Sequence, residues 1–190
     1  MSAIQRISER RALVDLVAFD RDGRPVLIVA ATGQEVRPIF LAAYLEILGA
    51  IRRDIPFAIL ADPERMTIYR KDRTWSVSPV AAISTGEILD FYGSPPGVGR
   101  DSKNYIIGMT DAWLRDFNWH WKSPTPPASE TMTDLGLATR LARGRTRRRV
   151  RIACLPVRGD QLPIELRDGE EYWDRLDRQR KAQLPPADSA

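Results

Sequence analysis

Apolar residues fall along this chain in runs that define its elements before any one residue is weighed. "LVDLVAFD" (13–20) and "PVLIVAAT" (25–32) are rich in β-formers, and the Asp-Gly of Arg21-Asp22-Gly23-Arg24 between them is a hairpin signal. The second run is apolar on both faces, which predicts a central strand covered on both sides. From Glu35 to Arg53, Val36, Phe40, Tyr44, Ile47 and Ile51 recur at helical spacing, and Leu41, Leu45 and Leu48 widen the face. Pro38 falls in the first turn, where a helix tolerates it. "IPFAILAD" (55–62) and "RMTIYR" (65–70) predict two more strands about an Asp62-Pro63-Glu64-Arg65 turn, and "TGEILDFY" predicts a short helix.

"SPPGVGR" (94–100) reads as a linker. Beyond it, Asp101 or Ser102 can cap a helix running to about Trp121, with Ile106, Met109, Trp113 and Phe117 on one stripe. "KSPTPPAS" breaks the chain again, and a Thr131-x-x-Asp134 capping pattern predicts a helix over about 131–143. A strand, "VRIACLP", follows the Arg run; a last helix over about 170–183 starts acidic and ends basic. The expected fold is α/β: a strand, strand, helix, strand, strand core over 1–93 and a mainly helical, Arg-rich extension over 94–190, with a disordered tail at about 184–190.

Composition narrows this picture. A chain of 190 residues with 43% apolar residues buries one good core and a small appendage. The longest apolar run, Pro38 to Ile51, carries Glu46 and is too short to cross a bilayer, and no charged-then-apolar leader opens the sequence, so a soluble, cytoplasmic protein with no membrane partner is expected. Cys154 stands alone, which excludes an internal disulfide framework or a cysteine zinc site and suits a buried structural thiol.

Net charge is +4, yet its distribution says more. Lys and Arg number 12 against 12 Asp and Glu in residues 1–99, 11 against 5 in 100–151, and 6 against 8 in 152–190. The centre of the basic region is "RLARGRTRRRVR", in which Arg140, Arg143, Arg145, Arg147, Arg148, Arg149 and Arg151 meet no acid. Such a run suits bidentate contact with phosphate. It equally suits a solvated loop, or pairing with the acidic stretch 160–177 of the same chain.

"VDLVAFDRDGRPVLIVAATG" resembles the metal-binding hairpin of the PD-(D/E)XK nuclease superfamily, above all the N-terminal nuclease domains of type I restriction subunits; the resemblance covers roughly Arg11 to Gly93. It implies a restriction-endonuclease-like core in which Asp15 matches the Asp of the first strand. The family's second strand ends in an acid, any residue, then Lys; here those positions are Ala30 and Thr32. Phosphodiester hydrolysis needs Mg²⁺ held by more than one carboxylate, and the Lys orients water and offsets developing charge. Ala30 and Thr32 supply neither group. The resemblance therefore implies a nuclease fold without cleavage, a pseudoenzyme with no cofactor.

Alternatives stand beside this reading. Asp15 in an ordinary α/β protein takes a backbone hydrogen bond. Family members sometimes move the acid to the following helix, so Asp15 with Glu35 or Glu46 would form a Mg²⁺-dependent nuclease, provided the Lys were also replaced. His120, in "FNWHWKS", lacks carboxylate partners for a metal and a nucleophile to serve as base, which favours an aromatic-cluster histidine. Trp119 and Trp121, beside Lys122, suit base stacking or, in the blander case, a core and an interface. No GxxxxGK, GxGxxG or GxSxG element that follows a strand is present. The expectation is a binding subunit contacting DNA or RNA, or a protein of a nucleic-acid-processing complex; a protein-interaction scaffold is the rival without nucleic acid.

Overall fold

The structure is a computed structural model of the 190-residue chain and describes residues 10–36, 38–51, 54–71, 78–93 and 102–154. β1 (Arg10–Phe19) and β2 (Pro25–Ala31) make the expected hairpin. Asp20 donates its backbone N–H to Arg24 O at 2.9 Å, its carboxylate takes the N–H groups of Asp22 and Arg24, and Gly23 supplies a left-handed residue at φ 78°.

α1 (Pro38–Ala50) crosses to β3 (Phe57–Ala61), which lies parallel to β2; β4 (Arg65–Arg70) and β5 (Ala81–Ser84) follow antiparallel. β5 is an addition to the expected strands, four residues whose place is set by pairing with β4 rather than by an apolar run. α2 (Thr85–Tyr92) starts at once behind it, with the Ser84 hydroxyl accepting from Glu87 N–H.

α3 (Lys103–Trp119) opens at its Ser102 cap as expected. The single helix expected over 131–143 is two, α4 (Ser129–Asp134) and α5 (Leu137–Leu141). Gly136 at φ 70° separates them, and the expected Thr131 cap is replaced by Ala128 at φ 58°, which makes no side-chain cap bond.

β6 (Arg145–Cys154) then pairs antiparallel with β1 from Arg10↔Cys154 to Phe19↔Arg145, giving one six-stranded sheet ordered β5-β4-β3-β2-β1-β6. The strand expected from Val150 thus begins at Arg145, and most of the Arg run is strand where a solvated loop was one expectation. The backbone groups on the free edge of β1 need partners, and that demand outweighs the polar composition of the segment.

Helices cover both faces of the sheet. Tyr44, Leu45 and Leu48 of α1 pack with Val17, Ile28, Ala58 and Leu60 on one side; Ile106, Trp113, Leu114 and Phe117 of α3, with Met132, Leu137 and Leu141, pack with Leu16, Leu27, Val29 and Ile59 on the other. Burial on both faces explains the unbroken apolar runs of β2 and β3. Among the described residues no helix is long and apolar enough to cross a membrane. The expected linker (94–100), the last helix, the tail and the first nine residues lie outside the described residues.

Candidate functional site

The hairpin positions named by the resemblance are all visible. Asp15 sits where β1 parts from β2: the pairing of the two strands runs from Leu16↔Val29 to Phe19↔Pro25. In place of a strand carbonyl, the Asp15 carboxylate accepts the Ala31 N–H at 2.9 Å. Its other oxygen lies 3.0 Å from Lys103 Nζ, on the first residue of α3. Ala30 is buried in the α1-side core, and the half-buried Thr32 donates its N–H to Ala61 O at 2.9 Å while its hydroxyl accepts from Gln34 N at 3.2 Å.

A divalent cation requires several oxygen ligands at one point. Here both Asp15 oxygens are engaged, Ala30 and Thr32 offer no carboxylate, and Glu35 and Glu46 are exposed on the loop after β2 and on α1. Among the described residues no three His, Cys, Asp or Glu side chains gather as a donor set. These donors do not fit the Mg²⁺ that the resemblance implies, and the ammonium of Lys103 stands against the carboxylate instead.

A second carboxylate nearby is also fully occupied. Asp62, 2% exposed at the end of β3, accepts from Glu64 N and Arg65 N at 2.8 Å each and from Val36 N at 3.4 Å. It closes the β3–β4 turn and ties down the loop into α1. Tyr44 donates to Ile59 O at 3.0 Å, and burial, reinforced by the nearby Asp15 charge, pushes its hydroxyl pKa far above the usual value.

The seven arginines do not form one patch. Arg140 is exposed on α5, and Arg143, at φ 59°, sits in the turn before β6 with its N–H donated to Asn118 O at 2.9 Å. Arg145 lies over the Phe19 ring at 5.6 Å on the α1 side, the side that Arg147 shares by strand alternation. Arg148 points the other way and binds Asp111 of α3, Nε to Oδ2 at 2.8 Å.

Arg149, at φ 53°, stands opposite Asp15, and there both strands exchange faces. Val14 and Val150 pack with the α1-side core, whereas Leu16 is in the α3-side core and Arg148 reaches α3. Arg151 is exposed beyond this kink and has interactions of its own.

Asp111 was not legible as a site residue, though it stands one turn from Arg115. It is 1% exposed and answers two guanidinium groups, Arg148 and Arg115 (3.2 Å), as well as the Thr146 hydroxyl. One carboxylate against two cations leaves this face of β6 positive.

The aromatic residues divide as well. Trp121 is 55% exposed but fixed: its indole N–H donates to Ala112 O at 3.1 Å, and its ring lies 5.9 Å from that of Tyr92. Lys122 lies over the rings of Phe91 and Tyr92 and donates to Phe91 O. The Tyr92 hydroxyl donates to Asp116 at 2.6 Å; burial and that bond raise its pKa far above the usual value. His120 is exposed and ends α3 in the left-handed conformation at φ 48°, a backbone role in place of the expected aromatic packing. Trp119 is the most exposed large apolar side chain described, at 62%.

Comparison with family models, with curated proteins and with solved structures finds no match for this chain.

Proposed function

We propose that this chain is a non-catalytic nucleic-acid-binding subunit, built on a degenerate restriction-nuclease-like core, that contacts phosphate through the outer strand β6. The observation that supports it most is the edge itself. Arg143, Arg145, Arg147 and Arg149 project from β6 or its entry with no carboxylate partner among the described residues. Arginine on an edge strand also discourages edge-to-edge aggregation, but one or two charges serve that purpose. Arginines on both sides of this edge, Arg145 and Arg147 on the α1 side and Arg115 and Arg148 on the α3 side, suit a polyanion that follows the outer strand.

Cleavage is not part of this reading, because the one carboxylate at the matching position is committed to Ala31 N–H and Lys103. The metal-dependent alternative would need Lys103 to withdraw and Glu35 or Glu46 to join Asp15. In the scaffold alternative, the same guanidinium groups meet an acidic protein.

The test is retention of labelled DNA and RNA by a variant with Arg143, Arg145, Arg147 and Arg149 changed to Gln and Arg148 left to hold Asp111. The reading expects loss of most binding in a folded protein. Retention at the wild-type level contradicts it.

A further inference from the structure

We infer that the preferred ligand is single-stranded nucleic acid, with an unpaired base stacked on Trp119 and its backbone running on from Arg115 and Arg143 to the arginines along the outer edge of β6. This inference rests on the nucleic-acid reading and adds to it the class of strand and the residue that distinguishes it.

Spacing along α3 sets the geometry. Asp111, Arg115 and Trp119 stand four residues apart, so they form one row along the helix, each about 6 Å further along the axis. The Asp111 end of the row is clamped to β6 through Arg148 and Thr146, and Arg115 Nε adds a bond to Thr146 Oγ1 at 3.3 Å. Arg115 is therefore both exposed and held, the condition for a phosphate contact that costs little ordering. Trp119 ends the row, and the backbone N–H of Arg143 bonds to Asn118 O, which brings that residue to the same end of the helix.

Along the row a cation is thus followed by a largely exposed indole, with Arg143 near its end. Duplex DNA keeps its base faces covered by neighbouring bases, so an indole gains nothing from it; an unpaired base offers the face that stacks. Local acids do not cancel the attraction. Asp111 is shared between two arginines, and Asp116 is buried and accepts from Tyr92 OH, Lys122 N and Ser123 N. Trp121 differs in that its ring already lies against an aromatic neighbour, 5.9 Å from Tyr92, while no ring contact of Trp119 is found among the described residues.

The experiment measures anisotropy of labelled single-stranded and duplex oligonucleotides of the same sequence with the full chain, for wild type, Trp119→Ala, Trp119→Phe and Arg147→Gln. Trp119→Ala is expected to weaken single-strand binding on the order of tenfold with an unchanged salt slope, because stacking releases no counterions. Duplex binding should be unaffected, and Trp119→Phe should keep most of the single-strand affinity.

Arg147→Gln should weaken both ligands and lower the slope. Equal affinity of wild type and Trp119→Ala for the single strand, or an equal loss on both ligands, overturns the stacking inference alone. Failure of the wild type to bind either ligand overturns the nucleic-acid reading beneath it, and selective binding of a protein through Trp119 in that case would favour the scaffold.

Discussion

Lys103 Nζ lies 3.0 Å from one oxygen of Asp15, and Ala31 donates its N–H to the other at 2.9 Å. The carboxylate thus ties the start of α3 to the point where β1 leaves β2. Asp15→Asn keeps an acceptor for Ala31 and loses only a partly buried ion pair, for a cost of about 1 kcal/mol. Asp15→Ala leaves the Ala31 N–H without its partner and is expected to cost about 1–3 kcal/mol. Urea unfolding of the two variants checks the order; equal losses would mean that the charge, not the hydrogen bond, is what matters there.

Arg148 and Arg147 are neighbours in sequence with opposite tasks. Arg148→Ala removes a charge-assisted bond to the buried Asp111 carboxylate and should destabilise the fold by about 1–2 kcal/mol. Arg147→Ala faces solvent and should change stability by less than about 0.5 kcal/mol while weakening nucleic-acid binding. Thermal melts beside binding curves separate the two effects.

Tyr44 gives the fold an alkaline weakness. Unfolded, the phenol loses its proton from about pH 10 upward; folded, burial and the Asp15 charge keep it protonated well beyond that. The folded state then holds more protons, so stability falls as pH rises, by up to about 1.4 kcal/mol per pH unit from this group. Tyr44→Phe should flatten the decline above pH 10, at the cost of about 1 kcal/mol at neutral pH for the lost bond to Ile59 O. Chemical denaturation at neutral pH and above pH 10 reads both.

Gly144 fixes where β6 begins. A Cβ there would collide with the Phe19 carbonyl and approach Leu141 O to 2.8 Å, both of them backbone atoms. Gly144→Ala is therefore expected to push β6 from β1 and cost about 1–3 kcal/mol, seen as faster amide exchange across the Phe19 end of the strand pair.

Much of the first half was legible because its signals are local. The Asp-Gly hairpin, the β4 run over 65–70 and the helix "TGEILDFY" are decided by turn chemistry and short-range pattern, and the structure places them where the pattern does. β6 was not legible as a strand along its full length, because seven arginines in twelve residues read as solvated chain. Only the free edge of β1, more than a hundred residues earlier, turns them into a strand.

The same limit applies to the site. Asp15 stood out in sequence, but Lys103, its partner, is brought to it by the docking of α3, and no spacing rule reports that pair. Gly136 is the opposite case: a local signal was present, and the helical pattern on either side of it concealed the break.

The most direct measurement is a salt titration of binding by the purified chain to labelled single-stranded DNA, duplex DNA and RNA, with and without Mg²⁺, with the same tubes followed for cleavage and Asp15→Asn run alongside. A steep, metal-independent loss of binding with rising salt, intact nucleic acid throughout and unchanged binding by Asp15→Asn are the expected results. Mg²⁺-dependent cleavage abolished by Asp15→Asn, or no binding even at low salt, would contradict the account.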